Sequence, residues 1–218
     1  MLFDTGIHSS ADARRLARKR LPWMVFDYID GAAGQEHGAA LNKRALQDIR
    51  LTPRVLCNVA QRELSVTQFD RLMLRPFGIS PMGMCNLAAP GADLMLAKIA
   101  REYRVPHGVS TVASTDLETL HKASGGTAWF QLYFSGDGSG TMKLVERAQK
   151  AGYGTLILTL DVPEVGRRPR ELRHGFKMPF RIGPRQFVDF AMHPGWSLSS
   201  LAKGSPKLAN FDGKNYIF

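Results

Sequence analysis

The chain has 218 residues, enough for one large domain or two small ones, with 44% apolar residues and a formal net charge of +10. No apolar run approaches the roughly 20 residues of a bilayer span, and the start MLFDTGIHSSADARR lacks the basic-then-apolar pattern of a secretory signal. Two cysteines, Cys57 and Cys85, do not make a disulfide scaffold, so a cytoplasmic chain with reduced thiols is expected. There is no metal-ligand spacing, no RNP or helix-turn-helix signal, and no G-x-G-x-x-G between a strand and a helix. The positive charge therefore points to a solvated basic surface, an anionic membrane surface or small anions rather than to nucleic acid.

Ser10 to Ile29 has helical spacing in Leu16, Leu21, Val25 and Phe26, with Pro22 breaking or restarting the helix and Gly31 ending it. Leu41 to Ile49 continues in helical style up to Pro53, and residues 54–76 read as short strands and turns. From Phe77 the pattern changes. Phe77–Gly83 is a short strand, Ala92–Tyr103 an amphipathic helix and Val105–Thr111 a second strand. Thr115-Asp116-Leu117-Glu118 reads as a capping box. Trp129–Phe134 is a third strand, Met142–Ala151 a helix stopped by Gly152, and Thr155–Val162 a fourth strand. This alternation predicts an α/β fold with a parallel sheet. Residues 167–218 show no readable fifth strand and no regular element.

Two strands carry polar groups that an ordinary core strand would not. In Trp129–Phe134, Gln131 and Tyr133 share one face. An amide inside an apolar strand must find a hydrogen-bond partner. In Thr155–Arg168, the run Leu156-Ile157-Leu158 leads to Thr159 and Asp161, then to Pro163, Gly166 and a double arginine. Polar residues at the C-terminal ends of parallel strands are placed where α/β barrels and open α/β sheets bind ligands.

At these strands the chain resembles the FMN-dependent α-hydroxy-acid dehydrogenase/oxidase family. The matching blocks are LPWMVFDYIDGAA (Leu21–Ala33), TPRVL (Thr52–Leu56), PFGISPMGM (Pro76–Met84), WFQLYF (Trp129–Phe134) and TLDVPEVGRR, in the family's order and spacing. The resemblance covers about the whole chain but only roughly the first half of the family's length. It implies a (β/α)8 TIM barrel of the FMN-linked type, represented here by strands one to four as a half barrel. Three sections are expected: an N-terminal helical section and barrel cap (1–76), four βα units (77–166) and a long loop after the fourth strand (167–218). The implied cofactor is FMN, and the implied reaction is oxidation of an L-2-hydroxy acid, first of all L-lactate, to the 2-keto acid.

The resemblance also implies site residues. Tyr28 and Arg168 would bind the substrate carboxylate, and Tyr133 would sit near its hydroxyl. Gln131, Thr159 and Ser110 would touch the flavin, and the backbone of Pro81, Met82 and Gly83 would pack against the ring. Relatives place Thr or Val where Met82 stands, so a hydroxyl contact is lost there. Asp161 would orient a catalytic histidine as imidazolium. That histidine, a second arginine and a lysine come in the family from strands five to eight, and residues 169–218 contain none of those motifs. The expectation is therefore a truncated enzyme, with two unpaired sheet edges and a wet inner face. The rival expectation is an inactive fragment with at most weak flavin or membrane binding.

Between Arg167 and Phe190 there are seven Lys and Arg residues against two acidic ones, interleaved with Phe176, Phe180, Phe187 and Phe190. That mixture suits an interfacial membrane segment or a flexible lid over the site. Its position matches the loop that anchors bacterial lactate and mandelate members of the family to the inner membrane. Membrane attachment would favour a quinone or respiratory chain as electron acceptor, and the family implies a homo-oligomer.

Overall fold

The computed structural model describes residues 6–134, 138–160, 166–176, 182–204 and 207–211. In chain order the elements are α1 (Ser10–Arg20), α2 (Trp23–Asp30), α3 (His37–Gln47), β1 (Val66–Gln68), β2 (Arg71–Met73), β3 (Ile79–Met82), α4 (Cys85–Ala88) and α5 (Ala92–Tyr103). They continue with β4 (His107–Ser110), α6 (Leu117–Ala123), β5 (Trp129–Tyr133), α7 (Ser139–Ala151), β6 (Leu156–Thr159), α8 (Pro169–His174), α9 (Pro184–Met192) and α10 (Pro194–Lys203). They fall into two units. One joins residues 1–53 to 166–205, and the other joins 54–165 to 206–218. Residues 54–76, expected with the N-terminal helices, thus group with the sheet, and most of the tail groups with the N-terminal helices.

The second unit is the βα alternation. Strands β3, β4, β5 and β6 form one parallel sheet in sequence order, and β1 and β2 form a separate antiparallel hairpin. On one face of the sheet Val109, Phe130 and Leu132 pack with Leu117, Leu120, Leu144 and Ala148 of the helices, all buried. Tyr153 closes this layer, and its hydroxyl donates to the Leu117 carbonyl at 2.7 Å. Helix α7 ends on Gly152 at φ 96°, a left-handed cap that a side chain would strain, and Tyr153 N–H returns to the Ala148 carbonyl. Among the described residues β3 and β6 each pair on one side only. Leu156 and Leu158, in register with Phe130 and Leu132, remain about half exposed.

Helix α6 starts one residue later than the sequence suggests. Asp116, not Thr115, is its N-cap, with the carboxylate accepting from Thr119 N–H at 2.7 Å. Asp is the stronger cap, and Glu118 is drawn instead into a pair with Arg147 at 2.9 Å.

The first unit corrects the reading of the tail. Where no regular element was expected there are three helices, each opening on a proline: Pro169, Pro184 and Pro194. Proline fits the first helical position because its missing N–H would have had no partner there. Pro22 stands one position earlier, as the N-cap residue of α2 after α1 ends, and Met24, Val25 and Phe26 of α2 are buried. The N-terminus of α2 is capped from the tail, since Asp189 of α9 accepts from the backbone N–H groups of Trp23 and Met24.

Helices α2 and α8 are joined by an ion-pair network. Arg170 reaches Asp27 at 2.6 Å, Asp30 at 2.8 Å and Glu36 at 3.2 Å, while Arg14 of α1 holds the other side of Asp30. The Arg14 hydrogen bond, with help from Arg170, lowers the Asp30 carboxyl from an ordinary 3.8 to about 2. A carboxylate with a depressed pKa stabilises the fold above its unfolded pKa, and the stabilisation is lost as pH falls through the folded value. Asp30→Asn is therefore expected to lower stability at pH 7 by about 1 kcal/mol, a modest figure because Arg14 is open to solvent. In thermal melts of both proteins the gap should persist down to about pH 4 and close by about pH 2.

Candidate active site

The face of the sheet opposite the helices carries Gly108 and Ser110 on β4, Trp129, Gln131 and Tyr133 on β5, and Ile157 and Thr159 on β6. A cleft of about 500 Å³ opens along this face at Gly108, Trp129 and Ile157, and also touches Pro81. Toward the C-terminal ends the face turns polar. Gln131 is 4% exposed and sits between two hydroxyls. Ser110 Oγ donates to Gln131 Oε1 at 3.1 Å, and Gln131 Nε2 donates to Thr159 Oγ1 at 2.8 Å. The three residues assigned to flavin contact thus form one hydrogen-bonded row across three neighbouring strands.

The amide partner that Gln131 needs comes first from the sheet itself. Among the described residues the row is still not saturated. An amide has two N–H donors and two acceptor lone pairs, and each hydroxyl can both give and take. With one bond made at each end, Gln131 keeps a donor and an acceptor, and Thr159 keeps its own proton. Such a row can meet the edge of a planar heterocycle in which carbonyls and an N–H alternate.

The loop beside this row is held by residues that sequence reading passed over. Asp93 of α5, 3% exposed, accepts from Ser114 N–H at 2.9 Å. Burial raises its carboxyl pKa, and the hydrogen bonds from Cys85, Ser114 and Thr115 oppose that rise. Burial, with the Asp93 charge beside it, pushes the Cys85 thiol up to about 12, so it stays protonated as a donor. Asn210, also buried, accepts from Leu117 N–H at 3.0 Å and donates to the Thr111 carbonyl at 3.2 Å. On the β3 side, Gly83 lies against Val112, and Gly108 lies against Pro81. A Cβ at either glycine would come within 2.6 Å of its neighbour, so the strand ends pack backbone to side chain. Met82 is 46% exposed.

Tyr28 and Arg168 both lie in the first unit and meet there. The Arg168 guanidinium stands 5.4 Å over the Tyr28 ring. It donates through Nη2 to the Tyr28 and Gly31 carbonyls, both at 2.7 Å, and pairs through Nη1 with Glu171 at 2.5 Å. Phe176 also stacks on the Tyr28 ring, with centroids 4.4 Å apart. Burial raises the Glu171 pKa, and Arg168 opposes it. Tyr133 lies in the second unit, half-buried at the end of β5. Asp161 falls outside the described residues. Among the described residues no group of His, Cys, Asp and Glu could hold a metal ion.

Residues 17–216 match the family model described as FMN-dependent dehydrogenase. The chain belongs to that family. It is 36% identical over 200 residues to an (S)-mandelate dehydrogenase of Pseudomonas putida, covering 92% of this chain and 51% of that protein. It is 35% identical over 200 residues to an L-lactate dehydrogenase of Pseudomonas syringae pv. syringae (strain B728a), covering 92% and 52%. Among solved structures it is similar to a monotopic membrane protein, (S)-mandelate dehydrogenase, with a TM-score of 0.88, 36% identity, and coverage of 94% of this chain and 54% of that one. The chain spans about half the length of the curated relatives it matches. Family membership bears out the α/β fold as part of an FMN-linked barrel, and FMN as the family's cofactor. The unsaturated amide–hydroxyl row fits the pyrimidine edge of that cofactor.

Proposed function

We propose that this chain supplies one wall of a site for FMN-dependent oxidation of an (S)-2-hydroxy acid to the 2-keto acid. The observation that carries the reading is the buried Ser110–Gln131–Thr159 row on the sheet face opposite the helices. FMN supplies the two-electron acceptor for that oxidation. In this reading Gln131 and Thr159 hold the ring edge by the donors they have left. Ser110 fixes the Gln131 amide so that its free N–H and lone pair point one way. The backbone of Pro81, Met82 and Gly83 packs on the ring. The Tyr133 hydroxyl bonds the substrate hydroxyl and the keto oxygen that replaces it.

Tyr28 and Arg168 are assigned to the substrate carboxylate. Arg168 already gives Nη2 to two backbone carbonyls and Nη1 to Glu171, and in this reading its remaining N–H donors are left for that anion. Asp161 is assigned to orienting the histidine that takes the hydroxyl proton, and the resemblance puts that histidine on later strands. Lactate and mandelate are both carried as substrates, since the two relatives are almost equally similar.

A second part of the reading concerns the membrane. No helix among the described residues is long and apolar enough to cross one. Helices α9 and α10 nevertheless expose Phe187, Val188, Met192, Leu198 and Leu201, each more than half accessible, beside Arg185 and Lys203. Apolar and cationic groups side by side suit a helix lying in the headgroup layer. We infer peripheral attachment, with a quinone or respiratory chain as electron acceptor.

Titration of the chain with FMN, followed by L-lactate or (S)-mandelate under anaerobic conditions, tests the first part. Stoichiometric flavin binding, followed by bleaching with one of the two acids, is expected. Bound flavin that neither acid bleaches would leave the rival, a non-catalytic fragment. No bound flavin would overturn the site itself. For the second part, flotation with vesicles containing anionic lipid should carry the chain upward, and Phe187→Ser with Leu201→Ser should reduce flotation severalfold. Equal flotation of both proteins would remove these helices from the interface.

A further inference from the structure

Away from the polar row, the second unit contains a cleft of about 710 Å³ between the β1–β2 hairpin, the end of α5 and the turn before β5. Its charged lining is one-sided. Arg71, Lys98, Arg101 and Arg104 face it with one carboxylate, Glu102. Among the described residues none of these four cations has a salt bridge. Cations in the last turns of α5 suit the negative end of its dipole. That explains neither Arg71, which comes from β2, nor the concave shape.

Two of the cations are seated by glycines. Gly125, at φ 73°, lies against the Arg101 stem, where a Cβ would come to 3.3 Å. Gly154 lies against the Arg71 guanidinium, where a Cβ would come to 2.8 Å, and Arg71 also donates to the Gly126 carbonyl at 3.2 Å. Backbone without side chains thus lets both arginines lie at the wall of the cleft. The field reaches neighbouring groups: His121 is held below its usual pKa by burial and then by the Arg71 charge. Trp129, half-buried, contributes an indole to the same wall.

We propose that this cleft binds an oligophosphate anion, either free or carried by a nucleoside. Several cations converging on one concavity suit a ligand with several adjacent negative oxygens, because each phosphate can take its own charge-assisted hydrogen bonds. The indole offers a stacking surface that only the nucleoside form would use. Trp129 also borders the cleft on the polar face, but none of the side chains assigned to flavin or substrate lines this site, so it does not depend on the flavin reading.

Calorimetric titration of the 218-residue chain at about 0.1 M salt, where surface charges are screened beyond roughly 10 Å, tests it. The probes are orthophosphate, tripolyphosphate and ATP. Tripolyphosphate and ATP should bind about tenfold or more tighter than orthophosphate. Lys98→Glu and Arg101→Glu should each weaken them by roughly tenfold, and Lys143→Glu on the exposed face of α7 should leave them unchanged. Circular dichroism checks folding, and Lys98→Glu decides alone if Arg101→Glu unfolds. ATP binding more tightly than tripolyphosphate would identify the nucleoside form, and equal binding the free anion. Equal affinity for all three anions, no measurable binding, or an equal loss with Lys143→Glu would overturn the proposal.

Discussion

A buried amide in the middle of a parallel strand is the constraint around which the second unit is organised. Gln131 has apolar neighbours on either side in sequence, and burying it unpaired would cost about 1–3 kcal/mol. Strand register resolves this, because parallel pairing brings Ser110 beside it on β4 and Thr159 near it on β6. A shift of one residue in either strand would turn the hydroxyl to the helix face and leave the amide stranded. The same row that satisfies the fold leaves one donor and one acceptor of the amide unused. Structural need and the proposed flavin recognition therefore rest on the same three side chains, and neither role would displace the other.

The first unit follows a different logic. Its helices are short and expose much apolar surface, and an ion-pair network joins them beside the buried Met24, Val25 and Phe26. Arg170 serves three carboxylates, and Asp189 caps α2 from more than 160 positions away. Arg168 is held by two backbone carbonyls and by Glu171, which fixes its plane over Tyr28. An arginine held in this way loses little freedom on meeting a carboxylate. The basic character of the chain is thus partitioned. Some arginines are consumed in pairing, and others, such as those around the second unit's cleft, stay available.

The sheet is readable because its strands are short and mostly apolar, several of them followed by Gly or Pro, and the helices between them carry apolar stripes. Helix α5 matches its expected bounds, and the strands come out shorter only at their ends, where pairing frays. Residues 167–218 carry three helices where none is expected, because each begins on a proline, and at the first helical position proline starts a helix. Gln131 could be singled out from sequence alone, since a polar residue among Phe, Leu and Tyr demands a partner. Asn210 could not be, because its partners lie more than 90 residues upstream and nothing local marks it. Nor could the sequence rank Arg168 against Arg170, whose different partners are set by how α8 meets α2.

In the proposed function Gln131 reads the edge of the flavin ring. The most direct measurement is the side-chain amide resonance of Gln131, assigned through Gln131→Leu in chain labelled with 15N-glutamine and followed as FMN is added. The account predicts that this resonance moves with FMN at one equivalent, and that its protons become protected from exchange while the other glutamine side chains stay where they are. A Gln131 amide that keeps its shift and exchange rate while flavin binds would contradict it.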